Sequence, residues 1–471
     1  MSDPTFLPAV AMAAKVRAKE ISPVELVKAH LEKIARLNPS LNAFVQVDAE
    51  RAEMQARVAE KAVMNGETLG PLHGVPLSIK SSIDVAGLHS ESGTQLRAGH
   101  IASHDAPLVA RLKAAGAIIL GVTNSPELLM AWETDNLLYG RTNSPWDLSR
   151  TPGGSSGGEA AAIASGCSAG GVGSDGGGSI RVPAHFCGIC GLKPTPGRIP
   201  ATGHFPASLG PFALVGVVGP MARTIADLKI LFEVMQGPDD GDTSSAPVPV
   251  RWPEETKLKE IRIGYFEDDG RTPVTHETHA AVRAAAEDLR KAGFEVVSYR
   301  PEGLERARQL WWQFFGIAGG MLLRPMTHGH EAELSPTLKQ FQSWVAEEAP
   351  HTGETLLETW ISRDEVRAQV FSQMREIPVL LCPVAAIPAF AHGEREWRIE
   401  GKTVKYLDAW SYAEWFNLLG TPAVVVPAGQ SNDGLPIGVQ IIARPWQEEL
   451  VLTVAEILEN ARKAWRKPPL P

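Results

Sequence analysis

The chain has 471 residues, 44% of them hydrophobic, with 45 Lys and Arg set against 54 Asp and Glu for a formal net charge of −9. Such a length builds a large core, and a small negative charge without any basic cluster speaks against nucleic acid as a partner. Cys167, Cys187, Cys190 and Cys382 are too few for a disulfide framework, no apolar run reaches the ~18 residues of a membrane span, and the first twenty residues lack a basic region leading into an apolar core. A reduced, cytoplasmic setting without signal peptide or membrane span is therefore expected.

Ser22-Pro23-Val24-Glu25 predicts a helix start, with a serine cap, proline at the first helical position and glutamate closing a capping box. Leu26, His30, Leu31, Ile34 and Leu37 then recur at helical spacing, and a second helical run covers Asp48 to about Asn65. Val75–Ile79 and Ala117–Gly121 read as short buried strands, separated by a helix at Pro107–Ala115 that Gly116 stops. The same order returns as strand Ile261–Phe266, helix Glu277–Ala292 ended by Gly293, and strand Phe294–Tyr299. This alternation predicts an α/β layered fold with a largely parallel sheet. Gly237–Pro253, polar and rich in Pro and Asp, reads as a surface connection. Leu310–Phe315 gathers Trp311, Trp312, Phe314 and Phe315, either as core or as the wall or lid of an acyl or aryl pocket. Val379–Pro383, Ala423–Pro427 and Gly438–Ala443 read as further buried strands, and a helix near Glu449–Arg462 closes the chain.

The most informative stretch is Thr151–Pro194, dense in Gly and Ser yet carrying the apolar run Ala160–Ala164 and a closing Ile-Arg-Val-Pro, which no flexible linker needs. Ser155 and Ser179 stand out in it. The side-chain-free run Gly176, Gly177, Gly178 beside Ser179 can aim backbone N–H groups at one point, the geometry an oxyanion requires. A serine hydroxyl needs a base, and none lies nearby in sequence. Lys80, ending the apolar run Val75–Ile79, is a candidate, because a lysine carried into an interior cleft loses its charge readily.

Other patterns carry less. Gly171-Val-Gly-Ser-Asp-Gly176 matches a dinucleotide fingerprint, but Gly177, Gly178 and Pro183 interrupt the helix it requires. Gly154-Ser-Ser-Gly-Gly158 matches a nucleophile elbow, which would make Ser156 the nucleophile but leaves the Gly176–Arg181 segment unexplained. Cys187-Gly-Ile-Cys190 lacks a second ligand pair for zinc, and His276, His279, His328 and His330 do not form a zinc-protease pattern, so no metal is expected. Asp175 and Arg181 bracket Ser179; an arginine cannot act as a base, so the expected role is structural, an ion pair or backbone hydrogen bonds that hold the glycine loop.

Gly153–Pro194 closely resembles the signature of the amidase signature family of serine hydrolases, and Lys80 falls at that family's lysine. The resemblance continues through Ser22-Pro-Val-Glu-Leu, Leu41-Asn-Ala-Phe, Asn417-Leu-Leu-Gly-Thr-Pro-Ala and Gly434-Leu-Pro-Ile-Gly-Val-Gln440. Phe186–Pro194 and Arg444–Leu450 look most like its fatty acid amide hydrolase and urethanase-type bacterial branch. The resemblance implies a Ser–Ser–Lys triad: Ser179 as nucleophile, Ser155 as relay after a cis Gly154–Ser155 bond, and Lys80 as base. It also implies an oxyanion site at the N–H groups of Gly176, Gly177, Gly178 and Ser179, and Leu129 at the substrate. One departure is Gly176 itself, where relatives often carry Thr or Ile; a wider pocket beside Ser179 is expected from it.

By the same resemblance the chain is expected to be an amidohydrolase without cofactor, acting on an apolar or aryl amide through an acyl-enzyme. A carbamate hydrolase with the same triad is the alternative; an amidotransferase subunit working with a partner protein is the alternative of another class. The implied organisation is one α/β domain built on a central mixed, largely parallel, twisted sheet flanked by helices on both faces, with N-terminal helices to about residue 66, a catalytic core at about 67–236, a linker at about 237–253 and the second half of the sheet at about 254–471, as monomer or homodimer.

Overall fold

The computed structural model describes residues 3–254, 258 and 260–470. Its strands are β1 (Phe44–Val47), β2 (Pro76–Lys80), β3 (Ile118–Thr123), β4 (Gly170–Asp175), β5 (Cys190–Lys193), β6 (Val217–Ala222), β7 (Arg262–Tyr265), β8 (Glu295–Ser298), β9 (Val379–Pro383), β10 (Glu396–Ile399), β11 (Lys402–Lys405), β12 (Ala423–Gln430) and β13 (Pro436–Ala443). Eleven form one sheet in the order β1-β3-β2-β4-β6-β5-β12-β13-β9-β7-β8, and β10 pairs with β11 apart from it. The mixed α/β fold expected from the sequence is the one observed. Parallel pairing sits in two blocks, β3–β2–β4 and β9–β7–β8, where helices connect the strands. The centre between them, from β4 to β9, is antiparallel. Segments before and after 237–253 thus share one sheet, and the residues at 255–257 and 259, where the second segment begins, lie outside the described residues.

Local chemistry explains the element ends. Ser22 accepts hydrogen bonds from the N–H groups of Val24 and Glu25 while Glu25 accepts from the Ser22 N–H, so the capping box starts Pro23–Leu41. Gly237–Pro253 has no regular element and is tied down by the Arg111 guanidinium, which donates to the carbonyls of Met235, Gln236, Gly237 and Pro238.

The β2–β4 block positions the site. Both strands are buried on both faces, and because they run parallel, Lys80 and Asp175 emerge at the same edge of the sheet. Crevices at the carboxyl ends of parallel strands are the usual place for a ligand. Helix Gly157–Ala164, wholly buried, lies against this block. The approach is close enough to need glycine: a Cβ at Gly171 would stand 2.0 Å from Glu159 Oε1 and 2.3 Å from the Ser78 carbonyl oxygen. The Ser78 oxygen belongs to β2 and cannot yield without breaking the ladder. We therefore expect Gly171→Ala to lower unfolding free energy by about 1–3 kcal/mol through overpacking; urea denaturation against the parent chain measures it, and an unchanged midpoint would contradict this packing.

Candidate active site

Lys80 is fully buried, and its Nζ is hydrogen-bonded to Ser155 Oγ at 2.6 Å, Ser156 Oγ at 3.0 Å and Ser174 Oγ at 3.0 Å; a neutral amine has two hydrogens to give and so accepts from one of the three. These are three neutral hydroxyls; among the described residues no carboxylate pairs with the amine. Burial pushes its pKa well below the usual lysine value, and the charges of Asp175 and Glu159, one shell away, only partly oppose this. Glu159 is itself buried, and its carboxylate accepts from the hydroxyls of Ser78 and, at 2.8 Å, Thr123. Burial lifts it to about 7, against the lowering effect of those bonds and of Lys80. Both groups are thus biased towards their neutral forms.

The glycine loop is held by a fully buried ion pair. Asp175 and Arg181 meet through two contacts of 3.0 Å, Arg181 Nε to Oδ2 and Nη2 to Oδ1. The Asp175 carboxylate also accepts from the N–H groups of Gly178 at 2.7 Å and Ile180 at 3.1 Å, and from Asn417 Nδ2 at 2.9 Å. Burial alone would raise its pKa, but Arg181 and these donors outweigh it and keep Asp175 ionised. Arg181 further donates to the Ala413 carbonyl and Gln440 Oε1.

Two indoles fix the other face of the loop. Trp311 Nε1 donates to the Gly176 carbonyl at 2.7 Å and Trp132 Nε1 to the Gly177 carbonyl at 2.8 Å. In a planar trans peptide the carbonyl of one residue and the N–H of the next point opposite ways, so these bonds set the directions of the Gly177 and Gly178 N–H groups. The Gly178 N–H goes to Asp175. Among the described residues no acceptor takes the N–H of Gly176, Gly177 or Ser179. The Gly154–Ser155 bond is cis, and the Ser156 N–H donates to the Ser179 carbonyl at 3.1 Å, tying the two serine loops together.

Ser155, Ser179, Gly176 and Leu129 line one cleft with Ser174, Asp175, Leu128, Met130, Phe212, Val217 and Phe315; it encloses about 460 Å³ including its open mouth. Gly177, Gly178 and Lys80 are not among its lining residues. Lys80 reaches the cleft only through the serine hydroxyls. Ser179 Oγ makes no hydrogen bond among the described residues, so Ser155 is joined to Lys80 and not to Ser179. Ser156 is fully buried, its hydroxyl held by Lys80 and the Ser174 backbone, which disfavours it as the nucleophile of an elbow. Cys187 and Cys190 are buried free thiols. No cluster of metal-ligating side chains occurs among the described residues.

The wider pocket expected at Gly176 is not found. A Cβ there would lie 2.7 Å from Phe315 Cε2, so an aromatic edge fills the room that a side chain at 176 would take. The Leu310–Phe315 cluster divides between its two readings: Trp311 and Phe314 are core, while Phe315, stacked on Trp311 at 4.8 Å, faces the cleft. Residue spacing also gave no notice of Ser174, Glu159, Phe212 or His204 around the site, and it pointed to Ser156 only as the nucleophile of an elbow, not as a hydrogen-bond partner of Lys80. Only the fold joins them to Lys80 and Ser179.

The family model for amidases matches residues 25–452. The chain belongs to the amidase family. This amidase is 35% identical to an indoleacetamide hydrolase of Bradyrhizobium diazoefficiens over 96% of its own length and 86% of the relative's. It is 33% identical to a glutamyl-tRNA(Gln) amidotransferase subunit from a Synechococcus strain, over 98% and 93%. A solved bacterial aryl acylamidase of the amidase signature family superposes with a TM-score of 0.85 at 27% identity, covering 97% of this chain and 96% of that one.

Because Gly176 and Phe315 share one space, their substitutions must couple. Gly176→Ala should lower kcat/KM and stability, and adding Phe315→Leu should recover at least half the loss, with a coupling of about 0.5–3 kcal/mol. A double-mutant cycle checks this; additive losses would show that the ring does not set the room at 176.

Proposed function

We propose that this amidase hydrolyses the C–N bond of apolar or aryl amides through Lys80, Ser155 and Ser179. The observation that carries the reading is the 2.6 Å contact between a buried Lys80 amine and Ser155, in surroundings that favour the neutral amine, joined through Ser155 to the cleft that Ser179 also lines. A neutral amine accepts a proton, so Lys80 draws one from Ser155, which takes one from Ser179 as Ser179 Oγ attacks the carbonyl carbon. The contact between the two serines is of the kind that active sites often complete only when substrate is bound.

The tetrahedral oxyanion would be met by the free N–H groups of Gly176, Gly177 and Ser179; Gly178, whose N–H is taken up by Asp175, acts as scaffold. The proton returns through Ser155 to the leaving nitrogen, the C–N bond breaks, and an acyl–Ser179 ester remains. Water, deprotonated along the same path, attacks that ester, releases the acid and restores Ser179. No step calls for a cofactor.

Leu128, Leu129, Met130, Phe212, Val217 and Phe315 make the cleft walls apolar, which supports an apolar acyl or aryl group over a small polar one. Carbamates present the same carbonyl beside nitrogen and fall within this reading. The likeness to an amidotransferase subunit supports a second reading, in which the ammonia released serves a partner-bound substrate. The chain purified alone separates them, since an amidohydrolase turns over simple anilides unaided.

Three outcomes are expected. An alkyl fluorophosphonate should label Ser179, and Ser179→Ala should abolish turnover with the fold intact; labelling of Ser156 instead would defeat the assignment. Aryl or long-chain amides should exceed acetamide in kcat/KM, by roughly 0.8 kcal/mol for each buried CH₂; equal turnover of acetamide would show that the apolar walls are not used. Since the neutral amine is the active form and its pKa is lowered, activity should rise with pH and level off on the alkaline side, a limb reporting the coupled serine–lysine unit. A profile falling over the same range in a stably folded enzyme would contradict Lys80 as base.

A further inference from the structure

One buried polar atom among the cleft residues has neither a partner nor a role in the chemistry above. His204 lines the cleft, on the segment between β5 and β6, two residues before Pro206, which also lines it. Its Nδ1 stands 2.9 Å from the Pro206 carbonyl oxygen. A carbonyl only accepts, so Nδ1 carries the ring proton. Burial first, and then any positive charge on Lys80, lowers the imidazole pKa to about 4, so the ring is neutral. Nε2 is therefore a lone-pair acceptor. It is shielded from solvent and has no hydrogen-bond partner among the described residues.

The other side-chain polar groups of the cleft are either taken or used by that chemistry. The Asp175 carboxylate is filled by Arg181, Asn417 and backbone N–H groups, Ser155 and Ser174 are bonded to Lys80, Ser208 Oγ donates to the Gly216 carbonyl, and Ser179 Oγ is the attacking group of the reading above. Among the cleft residues, His204 Nε2 is the one buried side-chain polar atom left without a partner. A buried acceptor in an apolar wall favours a ligand that brings it a donor and penalises one that does not.

We propose that His204 Nε2 accepts a hydrogen bond from the substrate N–H, so that the cleft selects amides and carbamates bearing that N–H over esters and N-alkylated amides of the same shape. The proposal rests on the amidohydrolase reading of the same site and adds to it the class of substrate. His204 is here a specificity-determining residue: it exchanges no proton and forms no covalent bond, and its acceptor is fixed by the Pro206 carbonyl holding the tautomer.

The test compares the anilide, the N-methylanilide and the phenyl ester of one acyl group on the parent chain, His204→Phe and His204→Gln. His204→Phe should lower kcat/KM for the anilide at least about 10-fold, leave the ester within about 3-fold, and leave the labelling rate of Ser179 by an alkyl fluorophosphonate, which has no N–H, unchanged. His204→Gln keeps an acceptor on a side chain of similar reach and should retain most anilide turnover. Equal losses on anilide, ester and fluorophosphonate would mark a structural role and overturn the proposal, as would no loss on any. Should His204→Phe fail to fold, the parent chain decides: it should prefer the anilide to the N-methylanilide by at least about 10-fold, and equal turnover overturns the proposal. A parent chain that is neither labelled nor active on any of the three would overturn the amidohydrolase reading and this proposal with it.

Discussion

A lysine amine with nothing but hydroxyls around it is the constraint on which the rest of the site depends. Carrying a charged ammonium into a site closed to water is costly unless a carboxylate meets it, and here none does. The chain places Lys80 as the last residue of a strand buried on both faces, packs a buried alanine-rich helix against it, and lets Ser155, Ser156 and Ser174 take its hydrogen bonds. Neutrality is then the cheaper state, and a neutral amine joined to a hydroxyl is a base ready for use. Glu159, close enough to be felt and itself lifted by burial, does not undo this, because its oxygens are occupied by Ser78 and Thr123.

The buried ion pair of Asp175 and Arg181 works the opposite way. Asp175 and Arg181 remain ionised because each finds several partners, and the pair is used as a brace. Asp175 gathers the N–H groups of Gly178 and Ile180 from one side while Trp311 and Trp132 hold the carbonyls of Gly176 and Gly177 from the other. The glycine run, the most flexible sequence in the chain by composition, becomes fixed in direction with three N–H groups left over. Glycine is required there by crowding rather than by mobility, since a Cβ at Gly177 would stand 2.5 Å from the Trp311 ring. The same indole that orients the loop thus excludes any side chain from it.

Much of this was legible in the sequence, for identifiable reasons. Strand β9 matches its expected bounds, and Ser22 starts its helix as expected, because those signals are local: an apolar run between breakers, a cap with its box. The alternation of strand and helix gave the parallel blocks at either flank. It could not give the antiparallel centre, where β4 pairs with β6, β5 with β6 and β12, and β13 with β9 across longer sequence separations; only β12 and β13 are joined by a short turn, Ser431-Asn-Asp-Gly-Leu435. The densest motif named Ser155, Ser179 and the glycines. Around them, Ser174, Glu159 and His204 carry no spacing of their own, and only the parallel register of β2 with β4 and the course of the 201–216 segment bring them to one place. Gly176 shows the limit most clearly: an absent side chain reads as open space in a sequence, but Phe315, 139 positions further along by subtraction of the two residue numbers, fills it.

The proposed chemistry stands on the protonation state of one side chain, and that state can be read directly. Lysine carrying ¹³C at Cε, incorporated into the whole chain, gives one titrating carbon signal per residue, with Lys80 assigned by its loss in Lys80→Met. The predicted result is a Lys80 signal with the chemical shift of a neutral amine at pH 7, titrating well below the ~10.4 of a free lysine side chain. A Lys80 signal that is ammonium-like at pH 7 and titrates with the surface lysines would contradict Lys80 as the base.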